Sequence, residues 1–193
     1  MSRPFVTVVS GLPRSGTSMM MRMLAAGGMP ILVDDVRRAD ADNPLGYFEF
    51  DPVKRTAQDP AWVSMARGEA VKVIYALLRK LPPGYEYRAI VMRRDVHEVV
   101  ASQAAMLERS GRVGSDLSEE RLTAVFTREL ARMEGWLEAQ TNFAVLPVEF
   151  RRCIERPIEA AVEVSEFLGS RLDVQAMAQA VESALYRQRI AGC

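Results

Sequence analysis

The chain is poor in the residues that build many known sites. It has a single histidine, His97, and only two cysteines, Cys153 and Cys193, among 193 residues. One histidine excludes a His-rich metal site and argues against a Ser-His-Asp apparatus. Two widely spaced cysteines make neither a disulfide framework nor a metal-ligand spacing, so a reducing cytoplasm is the expected compartment. No stretch reaches the ~18 consecutive apolar residues of a membrane span. The first apolar run follows only a short polar start and is broken by Gly11, Pro13 and Arg14, which is not the pattern of a secretory signal. Formal charge is balanced, with 25 basic and 25 acidic residues, so no overall field draws the chain to nucleic acid or anionic lipid. Repeats, low-complexity tracts and linkers are also missing. What remains, 49% apolar and 26% charged residues, is the composition of a globular protein, expected as one domain over residues 1–193.

One further absence lies near the N-terminus. The apolar segment Phe5-Val-Thr-Val-Val-Ser10 feeds the loop Gly11-Leu-Pro-Arg-Ser-Gly-Thr-Ser18, and Met19 to Leu24 continue as an apolar run. A strand, a tight loop and a helix in that order bind anions on backbone N–H groups at the helix N-terminus. A Walker loop would read G-x-x-x-x-G-K-[ST], whereas here Gly16 is followed by Thr17 and Ser18, with no lysine. The cation is Arg14, inside the loop. That points away from an ordinary ATPase and toward a different anionic donor.

The rest of the chain alternates apolar runs with helical periodicity, which predicts α/β architecture: βαβ units around a central parallel sheet of about five strands flanked by helices. The strand candidates are Phe5–Val9, Met29–Val33, Ala70–Ile74, Arg88–Met92 and Phe143–Val148. Helices are expected over Gly16–Ala26, Asp95–Arg109, Ser118–Gln140, Pro157–Leu168 and Val174–Leu185. Asp95 followed by Glu98 resembles a capping box. The four methionines at 19, 20, 21 and 23 give the first helix an apolar surface nearly all round, the mark of a buried helix. Asp34–Asp59 is the least regular stretch, a long loop with one short helix near Pro52–Gln58.

Two motifs in this order resemble the sulfotransferases of the P-loop superfamily. Their first motif, a strand followed by P-[KR]-[ST]-G-T-[ST], appears as Pro13-Arg14-Ser15-Gly16-Thr17-Ser18. Their second, a strand followed by Arg and a Ser eight residues on, appears as Ile90-Val-Met, then Arg94 and Ser102. A weaker echo is Pro147-Val148-Glu149-Phe150 ahead of a helix that ends Phe167-Leu168-Gly169. The resemblance touches residues 5 to 169 and implies a three-layer P-loop-like fold and transfer of a sulfuryl group from 3′-phosphoadenosine 5′-phosphosulfate (PAPS) to a hydroxyl or amine, leaving 3′,5′-ADP. No metal is implied. Arg14, Ser15, Gly16, Thr17 and Ser18 would hold the donor's 5′ end. Arg94 and Ser102 would hold its 3′-phosphate, with Arg93 the competitor for Arg94's place. Arg14 would also meet the charge that develops as the S–O bond breaks, where one preorganised donor is worth roughly 10²–10³ in rate.

The acceptor half departs from the family pattern. Many members carry K-x-H after their third strand; Lys72-Val73-Ile74 keeps the lysine and lacks the histidine. Lys72, Asp35 and Glu49 are the remaining catalytic candidates, each carboxylate also reading as a solvated charge or cap. Tyr47, Phe48 and Trp62 either shape an acceptor pocket or anchor the irregular segment. His97, in the first turn after Arg94, is expected to be exposed. The implied partner is a small-molecule or carbohydrate acceptor, with a homodimer allowed. Two rival readings stay open: a sulfotransferase-like domain that binds nucleotide or a partner without turnover, and a kinase with a degenerate Walker loop.

Overall fold

The computed structural model describes residues 5–34, 36–37, 39–40, 43–109, 117–169 and 171–182. Four strands, β1 (Val6–Gly11), β2 (Ala70–Lys72), β3 (Tyr87–Arg93) and β4 (Phe143–Glu149), form one all-parallel sheet in the order β2-β1-β3-β4. Every residue of β1 is buried, as expected of a strand covered on both faces. The register places Val9 beside both Lys72 and Ile90, and Met92 beside Val148. The carboxyl ends of the strands therefore emerge along one edge, where α/β proteins bind ligands.

Alternation along the strands divides the core. Val9, Ile90 and Met92 face a layer with α1 (Thr17–Ala26), α4 (Phe150–Glu155), α5 (Pro157–Leu168) and α6 (Val174–Gln179), including Met20, Met23, Leu24, Val164 and Met177. Val6, Val8, Ala89 and Val91 face the other side, with Val53, Trp62, Leu78, Met133 and Leu137. The last two belong to α3 (Glu119–Glu138), against which α2 (Val96–Arg109) packs. Burying each such side chain contributes roughly 1.5–3 kcal/mol. All four methionines of α1 are buried, in one cluster with Val9 and Ile90 of the sheet and Met177 of α6, as the apolar girth of that helix predicted.

The expected strand over Met29–Val33 is reduced to one rung, so the sheet has four strands, not about five. Ile31 bridges Ala70, whose N–H donates to the Pro30 carbonyl at 2.8 Å and whose carbonyl accepts from Leu32 N–H at 2.8 Å. β2 is only three residues long, and Asp34 N–H already bonds the Glu49 carbonyl at 2.9 Å, drawing the chain away from the sheet. The last helix also stops early, at Gln179, and 183–185 of its expected span lie outside the described residues. The short helix expected near Pro52–Gln58 is a 3-10 turn over Asp51–Arg55, and the six-residue α4 was not expected at all. The other helices fall within two residues of expectation, each with the anticipated punctuation. Ser118 caps α3, Pro157 opens α5, and Gly169 ends α5 in the left-handed region.

Trp62 anchors the irregular segment. It is buried, stands edge-on to Phe50 with centroids 6.2 Å apart, and donates from Nε1 to Thr56 Oγ1 at 3.1 Å. Replacing Trp62 by Ala is expected to cost roughly 3–5 kcal/mol in urea unfolding, as a core cavity does. Trp62→Phe should recover most of that loss except for the hydrogen bond.

Candidate functional site

The loop after β1 closes on itself. Ser15 sends both its N–H, at 3.2 Å, and its hydroxyl, at 2.7 Å, to the Leu12 carbonyl. Arg14 adopts φ 69°, a left-handed conformation that favours glycine. Gly16 is required on two counts: its φ is +100°, and a Cβ there would meet the Phe150 ring at 2.5 Å. α1 starts at the next residue, and helix geometry leaves the first-turn N–H groups of Thr17, Ser18 and Met19 without intrahelical partners. Those groups, at the positive end of the helix dipole, form the wall of a cleft of about 280 Å³.

On the β3 side, two residues one turn apart on α2 govern two arginines. Glu98 Oε2 pairs with Arg94 Nε at 2.9 Å, and Ser102 Oγ accepts from Arg14 Nε at 3.1 Å. Arg94 Nη1 in turn donates to the Arg14 carbonyl at 3.0 Å, and its guanidinium lies 4.7 Å from the centre of the Phe150 ring. Glu98 and Ser102 are buried, at 7% and 5% exposure, so this ion pair is screened little by solvent. Asp95 starts α2, its Oδ1 accepting from the N–H groups of His97 and Glu98 at 2.9 and 3.2 Å. His97 is exposed. Arg93 points outward to Glu134, 2.6 Å away on α3, and Arg94 lines the cleft, which is the division that strand alternation predicted.

On the β2 side, Lys72 reaches the cleft with only 10% of its side chain exposed. Its Nζ donates to the Tyr47 carbonyl at 2.8 Å and to Ser18 Oγ at 3.1 Å, and lies 3.9 Å from Glu49 Oε1. Burial lowers the Lys72 pKa to about 8, with the positive charges of Arg37 and Arg14 adding to the effect and Glu49 opposing it. Glu49 is held at 2.7 Å by Arg37. The Arg37 guanidinium lies 3.3 Å from the centre of the Tyr47 ring, and the Tyr47 hydroxyl donates to Asp40 at 2.8 Å. Burial, followed by the neighbouring Asp40 carboxylate, raises the Tyr47 pKa.

The structure thus brings Arg14, Gly16, Thr17, Ser18, Glu49, Lys72 and Arg94 to one cleft. Ser15 and Ser102 sit behind it, engaged with Leu12 and Arg14. Asp34 is used within the loop, accepting from the N–H groups of Val36 and Asp51, while Asp35 lies outside the described residues. Tyr47 lines the cleft, whereas Phe48 packs against the core. Among the described residues, no group of three or more His, Cys, Asp or Glu side chains stands close enough together to hold a metal ion. No helix among them is long and apolar enough to cross a membrane.

Neither protein-family models nor curated protein sequences give a match to this chain. Solved structures do. The sulfotransferase domain of the curacin biosynthetic pathway superposes with a TM-score of 0.57 at 12% identity, covering 100% of this chain and 94% of that one. The sulfotransferase domain of the Synechococcus PCC 7002 olefin synthase gives 0.59 at 14% identity over 97% and 81%. Sulfotransferase STF1 of Mycobacterium tuberculosis H37Rv gives 0.55 at 15% over 96% and 74%. This chain has the sulfotransferase fold. Retinol dehydratase, solved with androsterone and the inactive cofactor PAP, is similar at a TM-score of 0.50 and 15% identity, this chain spanning 65% of its length.

Four residues of this sulfotransferase-fold site escaped sequence reading. Glu98 was read as half of a capping box, although an acid four residues after an arginine is equally an ion-pair spacing. Asn43 and Arg37 carry no local signal, since the fold alone brings them to the loop, and Phe150 stood only at the end of a motif echo, with nothing to show that its ring fills the space beside Gly16. The perturbed lysine has a measurable consequence. The unfolded lysine keeps its proton to about pH 10.5 and the folded one to about pH 8. Between those values the unfolded chain binds more protons, so stability rises with pH. Relative to Lys72→Met, the wild type should gain roughly 2 kcal/mol in urea unfolding between pH 8 and pH 10. A constant difference would show that Lys72 titrates normally.

Proposed function

We propose that the chain transfers a sulfuryl group from PAPS to a hydroxyl or amine of a small-molecule acceptor. The observation that carries this reading is the convergence of Arg14, Lys72 and Arg94 on a cleft walled by a helix N-terminus and by a glycine whose Cβ position is filled by Phe150. Such a cradle fits an anion that must approach the backbone closely. The solved complex of retinol dehydratase with PAP supports the same choice of donor.

PAPS, when bound, supplies an activated sulfuryl group with 3′,5′-ADP as its leaving group. The chain's own residues then have separate tasks. The first-turn N–H groups and Gly16 hold anionic oxygens. Arg14 offers a forked guanidinium at the loop, and Lys72 a compact ammonium beside it, so that preorganised charge meets the charge that develops. Arg94, fixed by Glu98, is the cation for the 3′-phosphate. Ser102 serves by orienting Arg14. Glu49 is the carboxylate that faces the acceptor side and takes its proton, once Arg37 has shifted away; Asp35 is the second candidate for that task.

A second reading follows from Glu49, which is engaged by Arg37 at 2.7 Å and neighboured by Lys72 at 3.9 Å. A domain that binds the nucleotide without turnover would keep the arginines and leave this carboxylate paired. Calorimetry tests the donor half. Wild type should bind 3′,5′-ADP more tightly than 5′-AMP by about tenfold or more, one charge-assisted contact being worth ~1.5–3 kcal/mol. Removing Arg94 alone strands the buried Glu98 charge at a cost of about 3–5 kcal/mol, so the informative variant is Arg94→Met with Glu98→Gln. That variant should lose the preference. Equal binding by the wild type would overturn the 3′-phosphate assignment, and binding without transfer of labelled sulfate from PAPS across an acceptor panel would favour the second reading.

A further inference from the structure

Three parts of the chain meet at one hydroxyl. Ser18 Oγ, in the first turn of α1, accepts from Lys72 Nζ at 3.1 Å and from Asn43 Nδ2 at 3.1 Å, and donates to the Tyr47 carbonyl at 3.2 Å. A hydroxyl has one proton and two lone pairs, so these three bonds use its full capacity. The same carbonyl takes a second bond from Lys72 Nζ at 2.8 Å. Two neutral oxygens therefore hold the ammonium, and Asn43 fixes both. Its amide bonds one of them directly. It also builds the turn that delivers the other, donating to the Gly46 carbonyl at 2.6 Å and accepting from Gly46 N–H at 3.0 Å. Its own N–H donates to the Asp40 carboxylate at 3.0 Å.

This turn is not at rest by itself. Phe48, just beyond it, adopts φ 52°, which costs of order 1–3 kcal/mol and persists only where surrounding contacts impose it. The bonds to Ser18 and Lys72 are among those contacts.

We propose that Asn43 is a positioning residue that acts through the Ser18 hydroxyl to hold Lys72 Nζ on the floor of the cleft, and so ties the acceptor-side segment 43–49 to the donor loop. The inference rests on the reading of Lys72 as the cation that meets the transferring group. Asn43 touches no reacting atom in this scheme. Ser18 becomes a post for the lysine, its proton committed to Tyr47, and the backbone N–H groups of the loop are left as the anion donors. A displacement of Lys72 by about 1 Å would matter, since misplacement on that scale costs about 10²-fold in rate.

Chemical labelling reads the lysine directly, with no nucleotide or acceptor present. The full chain is treated with limiting acetic anhydride and the modification of each lysine is followed by mass spectrometry. Lys54, with 57% of its side chain exposed, is the internal reference. Rates are followed over a pH series and expressed for the unprotonated amine, so that they report access and not the lowered pKa of Lys72; on that basis Lys72 in wild type should react about tenfold more slowly than Lys54, and Asn43→Ala should speed Lys72 about fivefold while leaving Lys54 unchanged. Ser18→Ala should do the same, and the double variant should fall clearly short of the product of the two single effects, because both act in part through the Ser18 hydroxyl. Additive effects would mean that Asn43 only stiffens the segment, and a Lys72 rate within about twofold of wild type in either single variant would overturn the proposal. Calorimetry with 3′,5′-ADP separates the two readings: Asn43→Ala should leave this affinity within about threefold, whereas a tenfold loss with Lys72 still protected would place Asn43 on the nucleotide and overturn the positioning role. Failure of PAPS turnover would leave the labelling result intact.

Discussion

Several cations must occupy one small cleft without driving one another apart, and much of the local architecture answers that constraint. Each is tethered differently. Arg94 is balanced by the buried Glu98, Arg37 by Glu49, and Arg14 is held by the neutral Ser102 hydroxyl. Lys72, held by neutral oxygens with Glu49 3.9 Å away, gives way instead: burial and its cationic neighbours lower its pKa to about 8. A polyanionic ligand would relieve the whole set at once. The proposed donor, with charge at both ends, would do so, and α2 sets the spacing of the two arginines by presenting Glu98 and Ser102 one turn apart.

The strand-loop-helix unit proposed to hold the donor was legible in the sequence because its geometry is local. A strand, a loop with Gly11 and Gly16 and an apolar helix fix the anion cradle within about twenty consecutive residues, and strand alternation alone separates Arg94 from Arg93. Even there, hydrogen bonds within the loop and across the chain redirect short polar residues. Ser15 and Ser102 were expected to face the ligand, yet Ser15 closes the turn on Leu12 and Ser102 orients Arg14. A short polar side chain has no periodicity that reveals which neighbour will claim it.

The proposed acceptor side was less legible for the opposite reason. Glu49, Lys72 and Asn43 come from a sheet strand and from an irregular segment whose path is set by tertiary bonds such as Asp34 N–H to Glu49 and Asp34 Oδ2 from Asp51 N–H. The same competition explains the missing fifth strand. Apolar residues at Met29–Val33 have strand propensity, but a three-residue neighbour offers one rung and the loop offers the rest. Propensity is local, and this segment answers to partners 15 to 40 residues away.

A crystal structure of the chain with 3′,5′-ADP tests the account most directly. The account predicts the 5′-phosphate on the N–H groups of Gly16 to Ser18, the 3′-phosphate beside Arg94, and Lys72 Nζ facing the space beyond the 5′ end. A nucleotide bound in the reverse orientation, or bound away from the loop with Arg94 still enclosed by Glu98, would contradict it.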